Sequence, residues 1–97
     1  MFRICPMPRI LVERSPSPMK LDVLGVEDWP LVVEPAGRVV RHCPTTETSY
    51  IVSGVGEINV RGEESVPFAA GDLVTVMPDT ECAWDITEEI ERHYYKG

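Results

Sequence analysis

The stretches Glu47-Thr-Ser-Tyr-Ile-Val-Ser-Gly54 and Gly71-Asp-Leu-Val-Thr-Val-Met-Pro78 decide the fold class of this chain. Each contains a short run of β-branched and aromatic residues bounded by turn-forming residues, which is typical of a β-strand. The same pattern of short β-branched and aromatic runs predicts seven strands: Leu31–Val33, Arg38–His42, Ser49–Val52, Glu57–Arg61, Leu73–Met77, Cys82–Thr87 and Glu91–Tyr95. An edge strand is expected at Arg9–Glu13, and a single helical turn between Leu21 and Trp29.

Alternation assigns the faces of two predicted strands. Ile58 and Val60 face one way, and Cys82, Trp84 and Ile86 share one face of a later strand. Glycines predict hairpin turns at Gly54–Gly56 and at Gly62. We therefore expect an all-β domain that closes into a barrel, because closure removes exposed strand edges.

These stretches resemble the two conserved motifs of cupins. The Trp29-Pro30 pair, the Glu47-to-Gly54 strand, Gly71-Asp72-Leu73-Val74 and the ending from Cys82-x-Trp84 to Arg92-His93-Tyr94 look most like small single-domain cupins related to ureidoglycine aminohydrolase. The resemblance spans roughly residues 20–95. It implies an RmlC-like double-stranded β-helix, or jelly-roll barrel, with an extended segment at residues 1–18 and the barrel at residues 19–97.

The resemblance also implies a metal site. Metal-binding cupins use a His-x-His pair, a Glu and a third His, a set that suits Mn, Fe, Ni or Zn. Counting back from Glu47, the paired positions fall on Val40 and His42, and the third His position falls on Cys82. An incomplete divalent-metal site of His42, Glu47 and Cys82 is therefore expected. A slip of one residue would place Arg41 and Cys43 at the paired positions instead.

The predicted ligand pocket adds aromatic residues to this set. Tyr50 and Trp84 are expected to line it together with Val40, His42, Glu47 and Cys82. Cys82 is either a metal ligand, a nucleophile activated by His42, or a small buried hydrophobe. His93 is expected to be a hydrogen-bonded structural histidine.

Two functions stay open at this point. One is an uncharacterised enzyme that converts a small polar molecule inside the barrel, assisted by the incomplete metal site. The alternative is a metal-free module that binds such a molecule without catalysis, which Val40 at a ligand position favours. The resemblance suggests C–N chemistry only by analogy, since a fold does not determine a reaction.

Composition limits the partners. The chain has 97 residues and a net charge of -7, so nucleic acid and acidic membranes are not expected to bind. Its three cysteines, Cys5, Cys43 and Cys82, fit neither a disulfide framework nor a zinc motif, which indicates a reducing, cytoplasmic location. A small-molecule ligand is the expected partner, and a homodimer is left open.

Overall fold

The computed structural model describes residues 9–97; the first eight residues of the predicted N-terminal segment lie outside this part. The elements are β1 (Ile10–Glu13), α1 (Pro18–Leu24), a 3₁₀ turn (Val26–Asp28), β2 (Leu31–Glu34), β3 (Gly37–Cys43), β4 (Glu47–Val60), β5 (Val66–Ala69), β6 (Leu73–Val76) and β7 (Thr80–Lys96). The predicted all-β class is confirmed.

Two long strands, β4 and β7, organise the sheet. They pair antiparallel with each other, and each also pairs with different neighbours along its two halves. The start of β4 and the end of β7 lie in a half ordered β1-β6-β4-β7-β2, while their other halves pair with β5 and β3. This gives the jelly-roll arrangement that was expected. Within residues 9–97 the end strands β1 and β2 do not pair, so the hydrogen-bonded ladder is rolled but not closed.

The register of β4 against β7 shifts between Ile51 and Gly56. The hairpin predicted at Gly54–Gly56 is therefore wrong, because β4 continues through both glycines. A Cβ on Gly54 would lie 2.3 Å from the carbonyl oxygen of Glu89. These glycines let the two strands approach closely where the sheet bends. The second predicted turn is confirmed, since Gly62 lies between the paired strands β4 and β5.

The core fills the concave face of the rolled sheet. Trp84 on β7 is fully buried, as its alternation predicted, and its ring centroid lies 5.4 Å from that of Phe68 on β5. Ile51, Ile58 and Ile90 are also fully buried. The two halves of the sheet therefore share one core.

The helical segment is longer than the single turn expected from the sequence. Ser17 caps α1 by accepting a hydrogen bond from the Lys20 amide, and Pro18 occupies the first turn, where its missing N–H costs nothing. Gly25 ends the helix in the left-handed conformation. No helix within residues 9–97 has the length and apolar character needed to span a membrane.

Candidate functional site

The orientation of β3 determines which side chains reach the interior. Arg41 pairs with Cys82, and residues directly opposite each other project from the same face of a sheet. Cys82 is buried, so Arg41 and Cys43 point inward, while Val40 is 64% exposed and His42 is exposed. The expectation that Val40 and His42 face the interior is therefore wrong. The slipped alternative, with Arg41 and Cys43 inside, is the arrangement found.

Arg92 on β7 is the centre of a buried polar network. Its side chain is 1% exposed. Nη1 donates hydrogen bonds to Glu47 Oε1 at 3.1 Å and to Ser49 Oγ at 2.8 Å, and Nε donates to Glu34 Oε2 at 3.1 Å. Strands β2, β4 and β7 each contribute to this network. A buried charge is tolerated when it is paired and hydrogen-bonded, and both conditions are met here.

Arg41 approaches the same carboxylates with poorer geometry. Its Nη1 lies 3.3 Å from Glu34 Oε1 and 3.9 Å from Glu47 Oε1. Nη1 is nevertheless buried and donates no hydrogen bond within residues 9–97. Both guanidinium groups lie near the Trp84 ring, with Cζ at 5.8 Å from the ring centroid for Arg41 and 5.1 Å for Arg92. Trp84 therefore contributes cation–π attraction to both arginines.

A cavity of about 100 Å³, here called the mouth cavity, opens beside Arg41. It lies where β3 and β7 end and β4 begins, and its lining includes Arg41, His42, Cys43, Pro44, Thr45, Glu47 and Lys96. Glu47 is engaged by Arg92, so Arg41 and Lys96 are the charges in this lining that lack so close a hydrogen-bonded partner. Glu34 and Glu47 together balance the charges of Arg41 and Arg92, and Lys96 leaves the mouth cavity with one excess positive charge, which favours a ligand with negative charge.

The two cysteine thiols of this region are buried. Burial raises the pKa of Cys43, and the carboxylate of Glu47 raises it further. Burial likewise raises the pKa of Cys82, with a further contribution from the neighbouring Cys43. A thiol with a raised pKa stays protonated near neutral pH, and the thiolate is the nucleophilic and metal-binding form. These environments favour the interpretation of Cys82 as a small buried hydrophobe.

The donors do not fit the predicted metal. His42 is exposed and projects from the outer face of β3, away from Cys82. Arg41, a permanent cation that cannot ligate a metal, occupies the inward position instead. Among residues 9–97, no three His, Cys, Asp or Glu side chains are placed to hold a metal ion together.

The other predicted pocket residues separate. His42 and Glu47 both line the mouth cavity, whereas Tyr50 lines a different cavity on the outside of the sheet. Trp84 lies beneath the arginines. His93 is hydrogen-bonded as expected, with Nδ1 2.9 Å from the carbonyl oxygen of Trp29.

Four polar or charged residues of this site were not among the predicted site residues: Glu34, Ser49, Arg92 and Lys96. Arg41 was named only as the alternative occupant of a metal-ligand position. A signal existed for Arg92, because it has the same alternation parity as Ile90 and Tyr94 on the last strand. Nothing in the sequence around Glu34 pointed to its role, since its partners come from distant strands.

Known proteins place this architecture in a family. The family model described as the EutQ-like cupin domain matches residues 21–94. A DUF861 family protein from Thermotoga maritima is 31% identical, with a TM-score of 0.86 over 91% of this chain and 99% of that one. No match was found among curated proteins.

Two more distant structures share the fold alone. A DUF1255 protein of unknown function from Acidithiobacillus ferrooxidans is 15% identical with a TM-score of 0.64, over 66% of this chain and 61% of that chain. The EutQ protein of Clostridium difficile is 14% identical with a TM-score of 0.60, over 66% of this chain and 50% of that chain.

Proposed function

The chain belongs to the family of EutQ-like cupin domains, and we propose that it binds a small anion, such as a short carboxylic acid, at the mouth cavity. Arg41 is the main binding residue in this proposal, and no metal takes part. The observation that carries it is the contrast between the two interior arginines. Arg92 is hydrogen-bonded to three protein side chains, whereas Arg41 lines the mouth cavity with a side chain that is 24% exposed and makes only a looser ion pair, 3.3 Å from Nη1 to Glu34 Oε1.

The energetics support a ligand for Arg41. Nη1 of Arg41 forms an ion pair with Glu34 but no hydrogen bond within residues 9–97, and a hydrogen bond to a charged group contributes about 1.5–3 kcal/mol. A carboxylate can accept two parallel hydrogen bonds from a guanidinium, which makes it the matching partner in shape and charge. Lys96 at the rim adds a second positive charge. An anion would thus complete a site whose protein carboxylates are held mainly by Arg92.

The size of the mouth cavity limits the ligand. A water molecule occupies about 30 Å³ in the liquid, so 100 Å³ holds about three water-sized groups. That space accommodates the carboxylate end of a short acid, and any longer portion extends towards solvent. The proposal therefore concerns recognition of an acid group.

A closer kinship with ureidoglycine aminohydrolase stays a prediction. Ureidoglycine is itself a carboxylic acid, so a ligand of this chemical class is compatible with Arg41 as the anchoring cation. Conversion of the bound acid rests on the resemblance alone, because burial raises the pKa of both thiols, which disfavours the nucleophilic thiolate, and Glu47 is engaged by Arg92. A homodimer and a cytoplasmic location likewise remain predictions.

The binding test uses acetate and glycolate as probes in an NMR titration of the labelled protein. We expect saturable shifts of the amides of Arg41, Cys43 and Glu47. Arg41→Met should weaken binding about tenfold or more, since a charge-assisted hydrogen bond contributes about 1.5–3 kcal/mol. Arg38→Met is the matched control, because it removes the same charge from an exposed arginine paired with Asp85 outside the mouth cavity.

Two outcomes would overturn the proposal. One is an equal loss of affinity in the Arg41 and Arg38 variants, which would reduce the effect to overall charge. The other is the absence of any response to acids together with stoichiometric shifts at Glu47 and Cys82 on adding Mn²⁺ or Zn²⁺. That result would restore the metal site predicted from the sequence.

A further inference from the structure

A second, larger cavity lies on the outside of the sheet. This outer cavity measures about 380 Å³ and lies between the helical segment and the outward faces of β4 and β7. Its lining includes Leu21, Asp22, Gly25, Val26, Glu27, Asp28, Tyr50, Val52 and His93. A volume of this size falls within the range of about 300–1,000 Å³ that is usual for small-molecule sites.

The outer cavity has an apolar wall. Leu21 from the helical segment is half-buried, and Val52 from the outer face of β4 is 42% exposed, while Val26 from the 3₁₀ turn is buried, with 3% of its surface exposed. Apolar side chains left open to a cavity gain free energy when a ligand covers them, at about 25 cal/mol per Å². The body of a ligand in this cavity is therefore expected to be apolar.

The walls of the outer cavity are fixed by specific contacts. Gly25 adopts a left-handed conformation and donates its amide to the carbonyl oxygens of Leu21 and Asp22. Trp29, which follows the 3₁₀ turn, stacks on Tyr95 of β7 with ring centroids 5.7 Å apart. A cavity held in this way needs little reorganisation to accept a ligand, which favours affinity.

The side chains of His93 and Tyr50 also line the outer cavity. The Trp29 carbonyl can only accept, so Nδ1 of His93 carries the proton of their 2.9 Å hydrogen bond. In the neutral ring, Nε2 is then an acceptor. Tyr50 supplies a hydroxyl group that can donate or accept. These groups match a ligand that carries a hydrogen-bond donor.

The charged residues of the lining set the sign of the ligand. Asp22, Glu27 and Asp28 are carboxylates, and no lysine or arginine is among the described residues that line the outer cavity. We infer that the outer cavity binds an organic ammonium ion, whose apolar body packs on Leu21 and Val52 while its ammonium group meets the acceptors. This site is separate from the mouth cavity, which favours anions.

The test compares three probes of similar shape by NMR titration: phenethylammonium, 2-phenylethanol and 3-phenylpropionate. We expect phenethylammonium to bind about tenfold more tightly than the alcohol, and the carboxylate not to bind in this cavity. The shifts should centre on the amides of Gly25, Val26 and Val52.

Two pairs of variants separate this site from general attraction by an acidic protein. The double variant Asp22→Asn/Asp28→Asn should weaken phenethylammonium binding about fivefold or more. The control is the double variant Glu88→Gln/Glu89→Gln, which removes the same charge from the exposed bend of β7. This control should change the affinity less than about twofold. Val52→Lys should abolish binding of the ammonium probe and permit binding of 3-phenylpropionate. Val33→Lys, on an exposed position of β2 outside the cavity lining, is its control.

Several results would overturn the inference: equal affinity for the ammonium and the alcohol, equal effects of the two acidic pairs, or shifts confined to other parts of the sheet. Acid binding at the mouth cavity is followed by the amide shift of Arg41 and by the Arg41→Met variant. The experiments therefore test the two proposed sites independently of each other.

Discussion

Arg41 and Arg92 carry the same charge on neighbouring strands, but Arg92 is buried and hydrogen-bonded whereas Arg41 is partly exposed and more loosely paired. Removing Arg92 would leave Glu34 and Glu47 near each other without their main cation. We expect Arg92→Met to lower the free energy of unfolding by about 3–5 kcal/mol, the usual result of breaking a buried ion pair. Urea denaturation followed by circular dichroism measures this change.

Arg41→Met supplies the comparison, because its side chain is 24% exposed and its Nη1 donates no hydrogen bond within residues 9–97. We expect a loss of about 1 kcal/mol or less for this partly exposed cation. If the Arg92 variant were as stable as the Arg41 variant, the hydrogen bonds of Arg92 to Glu47 and Ser49 would not contribute to holding β7 against β4.

The alternation of apolar and polar residues predicted the orientation of some side chains in the site. The inward faces of Cys82 and Trp84 followed from a strand that alternates cleanly. The strand at β3 gave no such signal, because Val39 and Val40 are both apolar and Arg41 is charged. The side that faces inward is decided by partners for Arg41 from β2, β4 and β7, and those contacts cannot be read from local sequence.

Among the elements, the bend of β4 against β7 is the feature most sensitive to an added methyl group. Gly54 and Gly71 both have φ near +90°, at 93° and 92°. A Cβ at Gly54 would meet backbone and side-chain atoms of Glu89 and Ile90 within 2.8 Å, whereas a Cβ at Gly71 would meet nothing within 4 Å. We expect Gly71→Ala to cost about 1–2 kcal/mol for its conformation alone. Gly54→Ala should cost about 1–3 kcal/mol more because of crowding.

Thermal and urea denaturation of these two variants measures the difference directly. Equal losses would mean that conformation, and not the close approach of β4 to β7, explains the glycine at position 54. Gly71→Ala serves as the control, since the two glycines have nearly the same φ.

The elements themselves were largely predictable, but their continuity was not. The predicted strands at Ser49–Val52 and, except for Arg61, at Glu57–Arg61 are parts of the single strand β4, which ends at Val60. Glycine is compatible with both a hairpin and a closely packed bend, and sequence alone favours the hairpin. Strand β5 was not among the predicted strands; it contains Pro67, a residue that is depleted in strands but tolerated at a sheet edge.

For the whole molecule, the sharing of β4 and β7 has consequences for cooperativity. Neither half of the sheet has a complete set of strands of its own, because each long strand belongs to both halves. The core is also continuous across them: Trp84 packs on Phe68 from one half and beneath Arg92 from the other. The two cavities therefore lie on one shared sheet, with the mouth cavity where β3 and β7 end and the outer cavity against the outward faces of β4 and β7.

This arrangement predicts two-state unfolding in urea. Trp29 stacks on Tyr95 at the end of β7, whereas Trp84 lies in the shared core, so the two indoles report on different regions. In Trp29→Phe and in Trp84→Phe, the fluorescence midpoint should coincide with the midpoint from far-UV circular dichroism of the same variant, which is the usual test of two-state behaviour. The Trp84 variant should unfold at lower urea concentration because it loses core contacts, but its two probes should still agree. If Trp29 fluorescence changed before the circular dichroism in that variant, the half formed by β2 and the end of β7 would unfold separately, and the shared strands would not couple the two halves.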